Sequence, residues 1–189
     1  REAFMDRFEI KRDDSLLLMI DIQERLFVAM KESIQDMLKK NSAILLKTAG
    51  ELKIPVIVTE QYRKGLGSTL PELSSLCTGS PNLEKLFFNC MKDDTIKDAV
   101  IKSGKKTVIL TGIESHICVF QTALTLIHMN YNVVIASDGV ASRRKHDWKT
   151  ALKALSKAGA LIYPAETIAF MLIEKAGTPE FKALSPLFK

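Results

Sequence analysis

Several features that mark specialised protein classes are missing from this 189-residue sequence. Three cysteines are too few, and an odd number, for a disulfide scaffold, so we expect reduced thiols. The uncharged apolar runs, such as 15–20, are far shorter than the roughly 20 residues that cross a bilayer, and no membrane association is expected. Residues 1–8 resemble neither a secretory signal nor a transit peptide. We therefore predict a cytoplasmic protein, or a mitochondrial matrix protein if a presequence has been removed.

Motifs for common cofactors are also missing. The sequence contains no GxGxxG, GxxxxGK[ST] or GxSxG segment, so dinucleotide, nucleoside-triphosphate and serine-hydrolase sites lack support. The three histidines, His116, His128 and His146, do not have the spacing of metal ligands, and no two cysteines lie close enough for a zinc pair. We expect neither a metal nor another cofactor.

The charge balance gives little information about partners. A net charge of +5 arises from 27 basic and 22 acidic residues that are interleaved along the chain. The nearest approach to a basic run is 142–146 (SRRKH), which is too short for a nucleic-acid tract by itself. A basic nucleic-acid-binding protein or ribonuclease therefore remains an alternative that rests on charge alone.

Short apolar runs alternate with longer amphipathic segments along the chain. Because 47% of the residues are hydrophobic and 26% are charged, the composition is that of an ordinary soluble globular protein. The alternation predicts one α/β domain over 1–189, with its core at about 15–181, as a three-layer α/β/α sandwich around a mostly parallel sheet. Strands are predicted at 15–20, 54–59, 83–88, 108–111, 133–136 and 160–163, helices at 33–52, 93–103, 117–129, 147–158 and 166–175, and a long loop or lid at 60–80.

Ligands of an open parallel sheet bind at the carboxyl ends of its strands, and this rule selects three places in the sequence. They are Asp21, the loop after Thr59, and the segment 112–118. Asp21 directly follows a predicted buried strand. Its carboxylate is either a desolvated base that faces the crevice or a cap for the next helix.

Cys118 is predicted at the start of a helix. It is either a buried structural cysteine or a nucleophile whose thiolate is favoured by the helix N-terminus. His116, two residues away, would not face it on a helix and is not expected to form a Cys-His pair. Cys77 and Cys90 have no comparable setting, and we predict no role for them.

Three segments together resemble the isochorismatase-like cysteine hydrolases. Residues 17–23 (LLMIDIQ) are similar to the first-strand motif of that superfamily, and 112–123 (GIESHICVFQTA) to its nucleophile segment. Residues 59–62 (TEQY), 64–67 (KGLG) and 71–73 (PEL) resemble the lid of one uncharacterised branch. The resemblance runs from about 15 to 181 and implies the isochorismatase-like hydrolase fold.

The resemblance implies a catalytic triad of Asp21, Lys85 and Cys118. Lys85 lies in LEKLFFN (83–89), which departs in part from the Lys-Thr-x-Phe-Ser pattern of the family. From the residues alone, Lys85 would be a solvated lysine beside Glu84. The family also implies an oxyanion hole of the backbone N–H groups of Glu114 and Cys118, exposed by a cis peptide between Ile113 and Glu114.

The resemblance also limits the substrate. Nicotinamidases of the superfamily carry an Asp-x-His metal motif that 60–63 (EQYR) lacks, and isochorismatases that cleave a vinyl ether lack the cysteine. We therefore expect a metal-independent cysteine hydrolase that acts on a small amide-like or related acyl substrate through a thioester. The candidate substrate contacts are Gln23, Phe27, Tyr62, Phe88 and Glu114.

Family members are usually homo-oligomers, so a homo-oligomer is expected. The apolar segment 170–173 (FMLI) forms either a subunit contact or part of the core. A further alternative is a family member that keeps the triad but serves in assembly or interaction.

Overall fold

The apolar run at 15–20 forms an inner strand of a six-stranded sheet. The structure is a computed structural model that describes the backbone of residues 2–189 and the side chains from Phe4 onwards. All the strand pairs of this sheet are parallel, as the sequence predicts. The strands are β1 (Ser15–Ile20), β2 (Val56–Gln61), β3 (Asn82–Lys85), β4 (Thr107–Ile113), β5 (Asn132–Ala141) and β6 (Leu161–Tyr163).

Helices cover both faces of the sheet, which gives the predicted three-layer α/β/α architecture. None of the helices in the described part of the chain has the length and apolar character needed to cross a membrane. The helices are α1 (Glu2–Asp6), α2 (Glu24–Phe27), α3 (Glu32–Leu52), α4 (Arg63–Leu66), α5 (Pro71–Ser74), α6 (Asp94–Lys102), α7 (Cys118–His128), α8 (Lys145–Ala158), α9 (Ala165–Ile173) and α10 (Pro179–Leu184).

The strand order is β3-β2-β1-β4-β5-β6, so the chain moves outward from β1 and then returns to its other side. The crossover helices consequently lie on opposite faces before and after this return. A crevice therefore opens between the carboxyl ends of β1 and β4, which is where ligands bind in doubly wound sheets. Ile20 pairs with Gly112 at this point, so Asp21 and the 112–118 segment meet there.

Alternate residues of β1 are buried on alternate faces of the sheet. Leu17 and Met19 pack in the core against α3 and α9, whereas Leu16, Leu18 and Ile20 pack in the core against α6, α7 and α8. A strand that is covered on both faces needs apolar residues throughout, which explains the uninterrupted run in the sequence.

Of the six predicted strands, only β1 has the predicted bounds, and the differences are largest at β2, β3 and β5. β2 extends to Gln61, because its last two residues pair with Glu84 and Lys85, so part of the predicted lid is strand. β3 ends at Lys85, and residues 86–88 lie outside the sheet with their side chains exposed. β5 continues to Ala141 after a register shift opposite β4, a bulge that the periodicity does not reveal.

Candidate functional site

Asp21 stands at the carboxyl end of β1 and is fully buried. Its backbone has a positive φ of 53°, a conformation that aspartate tolerates better than most residues. Its carboxylate accepts hydrogen bonds from the Thr59 hydroxyl and the Lys85 ammonium, each at 2.8 Å. The next helix, α2, has Gln23 at its N-cap, so the helix-capping alternative for Asp21 is wrong.

Lys85 lies at the end of β3 and is only 1% exposed. Its ammonium pairs with Asp21 and also donates to the Gln61 side-chain oxygen at 2.5 Å. Burial alone would lower the pKa of Lys85, but the Asp21 carboxylate raises it overall, so the ammonium is charged at neutral pH. The interpretation of Lys85 as a solvated lysine beside Glu84 is therefore wrong.

Cys118 is the first residue of α7 and is 6% exposed. Burial raises the pKa of its thiol strongly, the Asp21 carboxylate raises it further, and the Lys85 ammonium partly opposes both. The resting group is thus a protonated thiol beside a carboxylate. Burial and the Asp21 charge therefore act against the thiolate that a helix N-terminus would favour.

Cys90 lies in the core next to the same group of side chains, although no role is predicted for it from the sequence. It is fully buried, its backbone N–H donates to Thr122 of α7, and its sulfur lies 3.9 Å from the Thr59 hydroxyl oxygen. Burial raises its pKa to about 11, so it is a neutral thiol. No periodicity in 83–93 marks this contact, since Cys90 begins a 3-10 helix of only three residues, Cys90–Lys92.

The segment 112–117 turns the chain from β4 into α7. Gly112 has a φ of 135°, and a Cβ at this position would clash with the backbone of Ile20, so only glycine lets β1 and β4 approach here. The peptide bond between Ile113 and Glu114 is cis, as the family resemblance implies. The Ser115 N–H donates to the Ala141 carbonyl oxygen, which joins the turn to β5.

A polar network surrounds this turn. The Glu114 carboxylate is buried and pairs with the Arg143 guanidinium at 2.7 Å. The His116 ring shares a hydrogen bond of 2.8 Å with the Ser142 hydroxyl and lies 3.7 Å from Asp147, so its polar contacts are with these groups and not with Cys118. The basic segment 142–146 thus lies beside the turn at 112–117 that precedes Cys118, which we call the nucleophile turn after the proposed role of Cys118.

Two of the predicted substrate contacts have structural partners. Gln23 is fully buried, accepts from the Gln61 N–H at 2.6 Å and donates to the carbonyl oxygens of Gln61 and Gly67. Phe27 packs in the core on the α3 face of the sheet, opposite the face that carries Cys118. Both side chains are engaged in the fold, and their contact with substrate stays a prediction.

Tyr62 and Phe88 have a different environment. They follow the carboxyl ends of β2 and β3 and expose 47% and 57% of their surface. The Tyr62 N–H donates to the Lys85 carbonyl oxygen, which joins the backbone of this residue to the end of β3. Both aromatic side chains are exposed, and their contact with substrate stays a prediction.

Glu60 anchors the lid to the sheet. It is 2% exposed and accepts from the N–H and hydroxyl of Thr69, from the Asn82 side chain and from the Arg63 guanidinium. Burial alone would raise the pKa of Glu60, but the hydrogen bonds from Asn82, Arg63 and Thr69 together lower it. Glu60 is therefore one of the side chains that hold the segment 62–69 against β2 and β3.

Replacing Glu60 with glutamine should destabilise the protein by about 1.5–3 kcal/mol, the range for hydrogen bonds to a charged group. Because the folded pKa of Glu60 is lower than its unfolded value of 4.5, its contribution is present above that pH and is lost as the pH falls below it. Urea unfolding at pH 7 and at pH 3.5 measures both effects. Glu72→Gln, which removes an exposed pair with Lys39, should cost less than about 1 kcal/mol. Equal losses in the two variants at pH 7 would contradict the anchoring role.

In the part of the chain that the structure describes, no three histidine, cysteine or carboxylate side chains are grouped so that they could hold a metal ion. The side chains at the crevice are a carboxylate (Asp21), an ammonium (Lys85) and a thiol (Cys118). This set suits proton transfer coupled to nucleophilic attack.

A family model described as the isochorismatase domain matches residues 15–167. The match includes Asp21, Lys85 and Cys118. Among curated proteins, the chain is 33% identical over 179 residues to the secreted isochorismatase effector Isc1 of Phytophthora sojae, covering 93% of this chain and 84% of the relative.

Solved structures of similar proteins share the architecture. The MAR1 ribonuclease of Caenorhabditis elegans superposes with a TM-score of 0.87 at 34% identity, covering 95% of this chain and 91% of the relative. The YcaC gene product of Escherichia coli, described as an octameric hydrolase of unknown specificity, superposes with a TM-score of 0.86, covering 95% and 89% of the two chains. At 23% identity, this second likeness shows the fold alone.

Proposed function

This chain belongs to the isochorismatase family of hydrolases, and we propose that it is a metal-independent cysteine hydrolase acting on a small amide-like or related acyl substrate. One observation carries the proposal: a buried thiol, Cys118, faces a buried ion pair of Asp21 and Lys85 at the carboxyl edge of the sheet. Ion pairs are costly to bury, and one beside a nucleophile at the ligand-binding edge favours a catalytic role. The absence of histidine from 60–63 supports a metal-independent reaction.

In the proposed reaction, the Cys118 sulfur attacks the substrate carbonyl carbon while its proton passes to the Asp21 carboxylate. The tetrahedral intermediate then breaks its C–N bond, and Asp21 returns the proton to the leaving amine. Water next attacks the thioester, giving one proton to Asp21. Release of the acid returns that proton to the Cys118 sulfur, so the cycle ends with the starting protonation states.

Lys85 has an electrostatic role in this scheme. Its ammonium lowers the pKa of the Cys118 thiol and so offsets part of the effect of burial. It also keeps Asp21 in place through a 2.8 Å hydrogen bond, while the Gln61 side chain fixes the ammonium from the other side.

The oxyanion would be bound by backbone N–H groups of Glu114 and Cys118. Cys118 is the first helical residue of α7, and N–H groups in the first turn of a helix have no partner within the helix. Donors that are fixed before the reaction stabilise developing charge without reorganisation.

The test is a hydrolysis screen of small primary amides, N-carbamoyl compounds and ureas, with isochorismate included as a vinyl-ether substrate. Turnover of an acyl substrate should be accompanied by a mass increase of the acyl group on the peptide that contains Cys118, seen after rapid acid quenching. The mechanism would be contradicted by a substrate that is turned over without forming an adduct on Cys118 at any quench time, if its turnover also persists after Cys118 has been alkylated.

Replacing Asp21 with asparagine should lower kcat/KM by at least about 10²-fold, because the side chain keeps its shape but no longer accepts the thiol proton. The variant also leaves Lys85 without its counter-ion, so circular dichroism and urea unfolding must accompany the kinetics. Assays well below the melting temperature of the variant separate the loss of catalysis from the loss of folded protein. Wild-type turnover in a folded Asp21→Asn protein would exclude the general-base role.

A ribonuclease activity is a second candidate, because the C. elegans relative carries that name at 34% identity. In this chain, Arg143 and the exposed residues Arg144 and Lys145 lie beside the nucleophile turn, where they could meet phosphates. Electrostatic RNA binding weakens steeply with salt. A ribonuclease should still cleave RNA when Cys118 is replaced. Its cleavage rate should decrease in Arg143→Met and at higher salt concentration. This combination of results would favour the ribonuclease over the hydrolase of an acyl substrate.

We also propose that the protein is a homo-oligomer, as the E. coli relative is described. Within the predicted segment 170–173, Leu172 and Ile173 are core residues and Phe170 is partly exposed, so this segment mainly packs inside. Residues 86–88 (LFF) instead expose 71%, 54% and 57% of their surface in one stretch beside the crevice. Adjacent exposed apolar side chains are typical of an interface. A 21 kDa species alone in sedimentation would reject the proposal.

A further inference from the structure

A cavity of about 320 Å³ lies on the far side of the nucleophile turn from Asp21 and Lys85, and neither of these residues nor Cys118 lines it. It opens between the start of α3, the start of α8 and the carboxyl end of β5. This volume is within the range of small-molecule sites in proteins.

The walls of the cavity are mainly apolar. Ile34 and Met37 of α3 face Val140 of β5 and Trp148 of α8. Trp148 is held in place, because its indole N–H donates to the Ser137 carbonyl oxygen at 3.1 Å. An apolar wall that includes a fixed aromatic ring suits the hydrocarbon part of a ligand.

Among the residues that the structure describes, the charged side chains that line the cavity are two lysines, Lys31 and Lys145. Neither ammonium takes part in an ion pair among the residues that the structure describes. The acid nearest to Lys145 along α8, Asp147, pairs with Arg144 at 2.7 Å and does not line the cavity. The site therefore has a positive, uncompensated rim around an apolar interior.

We propose that this cavity binds a small monocarboxylate with an apolar body, its carboxylate between Lys31 and Lys145 and its hydrocarbon part against Trp148. An ammonium pair binds a carboxylate by charge-assisted hydrogen bonds, which a neutral alcohol of the same length cannot form equally well. Ser142 also lines the cavity, and its hydroxyl is hydrogen-bonded to His116. The inference does not depend on the proposed hydrolase activity.

The chain supplies its own reporter for this site. Trp148 is the only tryptophan in the sequence, so intrinsic tryptophan fluorescence observes this cavity directly. Titration of this 189-residue protein with octanoate should give a saturable change in emission, whereas octan-1-ol should bind at least about tenfold more weakly. Lys31→Met and Lys145→Met, which keep the aliphatic stem, should each weaken octanoate binding by about tenfold.

Two controls locate the ligand. Lys149→Met, an exposed position one turn along α8 that does not line the cavity, should bind octanoate like the parent protein. Protein carbamidomethylated at Cys118 should also bind it unchanged. Equal binding of octanol and octanoate, or unchanged affinity in both lysine variants, would overturn the proposal, as would the absence of a saturable signal. Loss of binding after carbamidomethylation would place the ligand in the catalytic crevice instead and would equally overturn it.

Discussion

Replacing Cys118 with alanine is expected to abolish turnover, with kcat/KM reduced by about 10⁴-fold or more, because no other side chain can form the thioester. The fold should persist: alanine fits where cysteine stood at the start of α7, and a typical buried substitution costs about 1 kcal/mol. The measurement is steady-state kinetics on the substrate found in the screen, with urea unfolding of the same preparation.

Cys77→Ala is the matched control for this experiment. Cys77 lies near the lid, where its sulfur contacts the Leu73 carbonyl oxygen, and it does not touch the ion pair. Its loss should leave kcat/KM within about twofold of the parent value. Activity retained in Cys118→Ala would end the proposal of a cysteine nucleophile, whatever the behaviour of Cys77→Ala.

Replacing Lys85 with methionine is expected to be the most destabilising of these changes. Removal of one partner from a buried ion pair leaves the other charge uncompensated and typically costs about 3–5 kcal/mol. Because Lys85 also lowers the pKa of Cys118, that pKa should rise further in the variant, and alkylation by iodoacetamide should shift to higher pH. Mass spectrometry of the Cys118 peptide measures the rate against pH without interference from Cys77 and Cys90.

The double variant Asp21→Asn with Lys85→Met separates charge from packing. If the uncompensated charge is the main cost, the double variant should be more stable than Lys85→Met alone, and both should be inactive. Lys64→Met, in the exposed α4, should alkylate and unfold like the parent. If Lys85→Met matched the parent in both stability and alkylation, Lys85 would not be coupled to Cys118, and the cation of the site would have to be another residue.

The positions of Asp21 and Cys118 could be predicted from the sequence because a general rule applies to them. The apolar run of β1 and the run of β4 identify buried parallel strands, and the residues that follow such strands meet at one edge. Local sequence could not decide between a cap and a base for Asp21, since that depends on Thr59 and Lys85, which are distant along the chain.

Lys85 could not be predicted from its own surroundings. Its burial follows from the register in which Gln61 pairs with Lys85, and a register between two short strands is a tertiary property. Only the family resemblance identified it. Cys90 and Gln61 were missed for the same reason, because their contacts with the site cross from one element to another.

The pairing of Asp21 with Lys85 has a consequence for how activity can be lost during evolution. Either residue changed alone leaves a buried charge, so selection for folding preserves both even where selection for catalysis has ceased. Cys118 is under no such constraint, because its neighbours remain paired when it is replaced. Among relatives that share this pair, the aspartate and lysine are therefore weak indicators of an enzyme, and the residue at the start of α7 is the informative one.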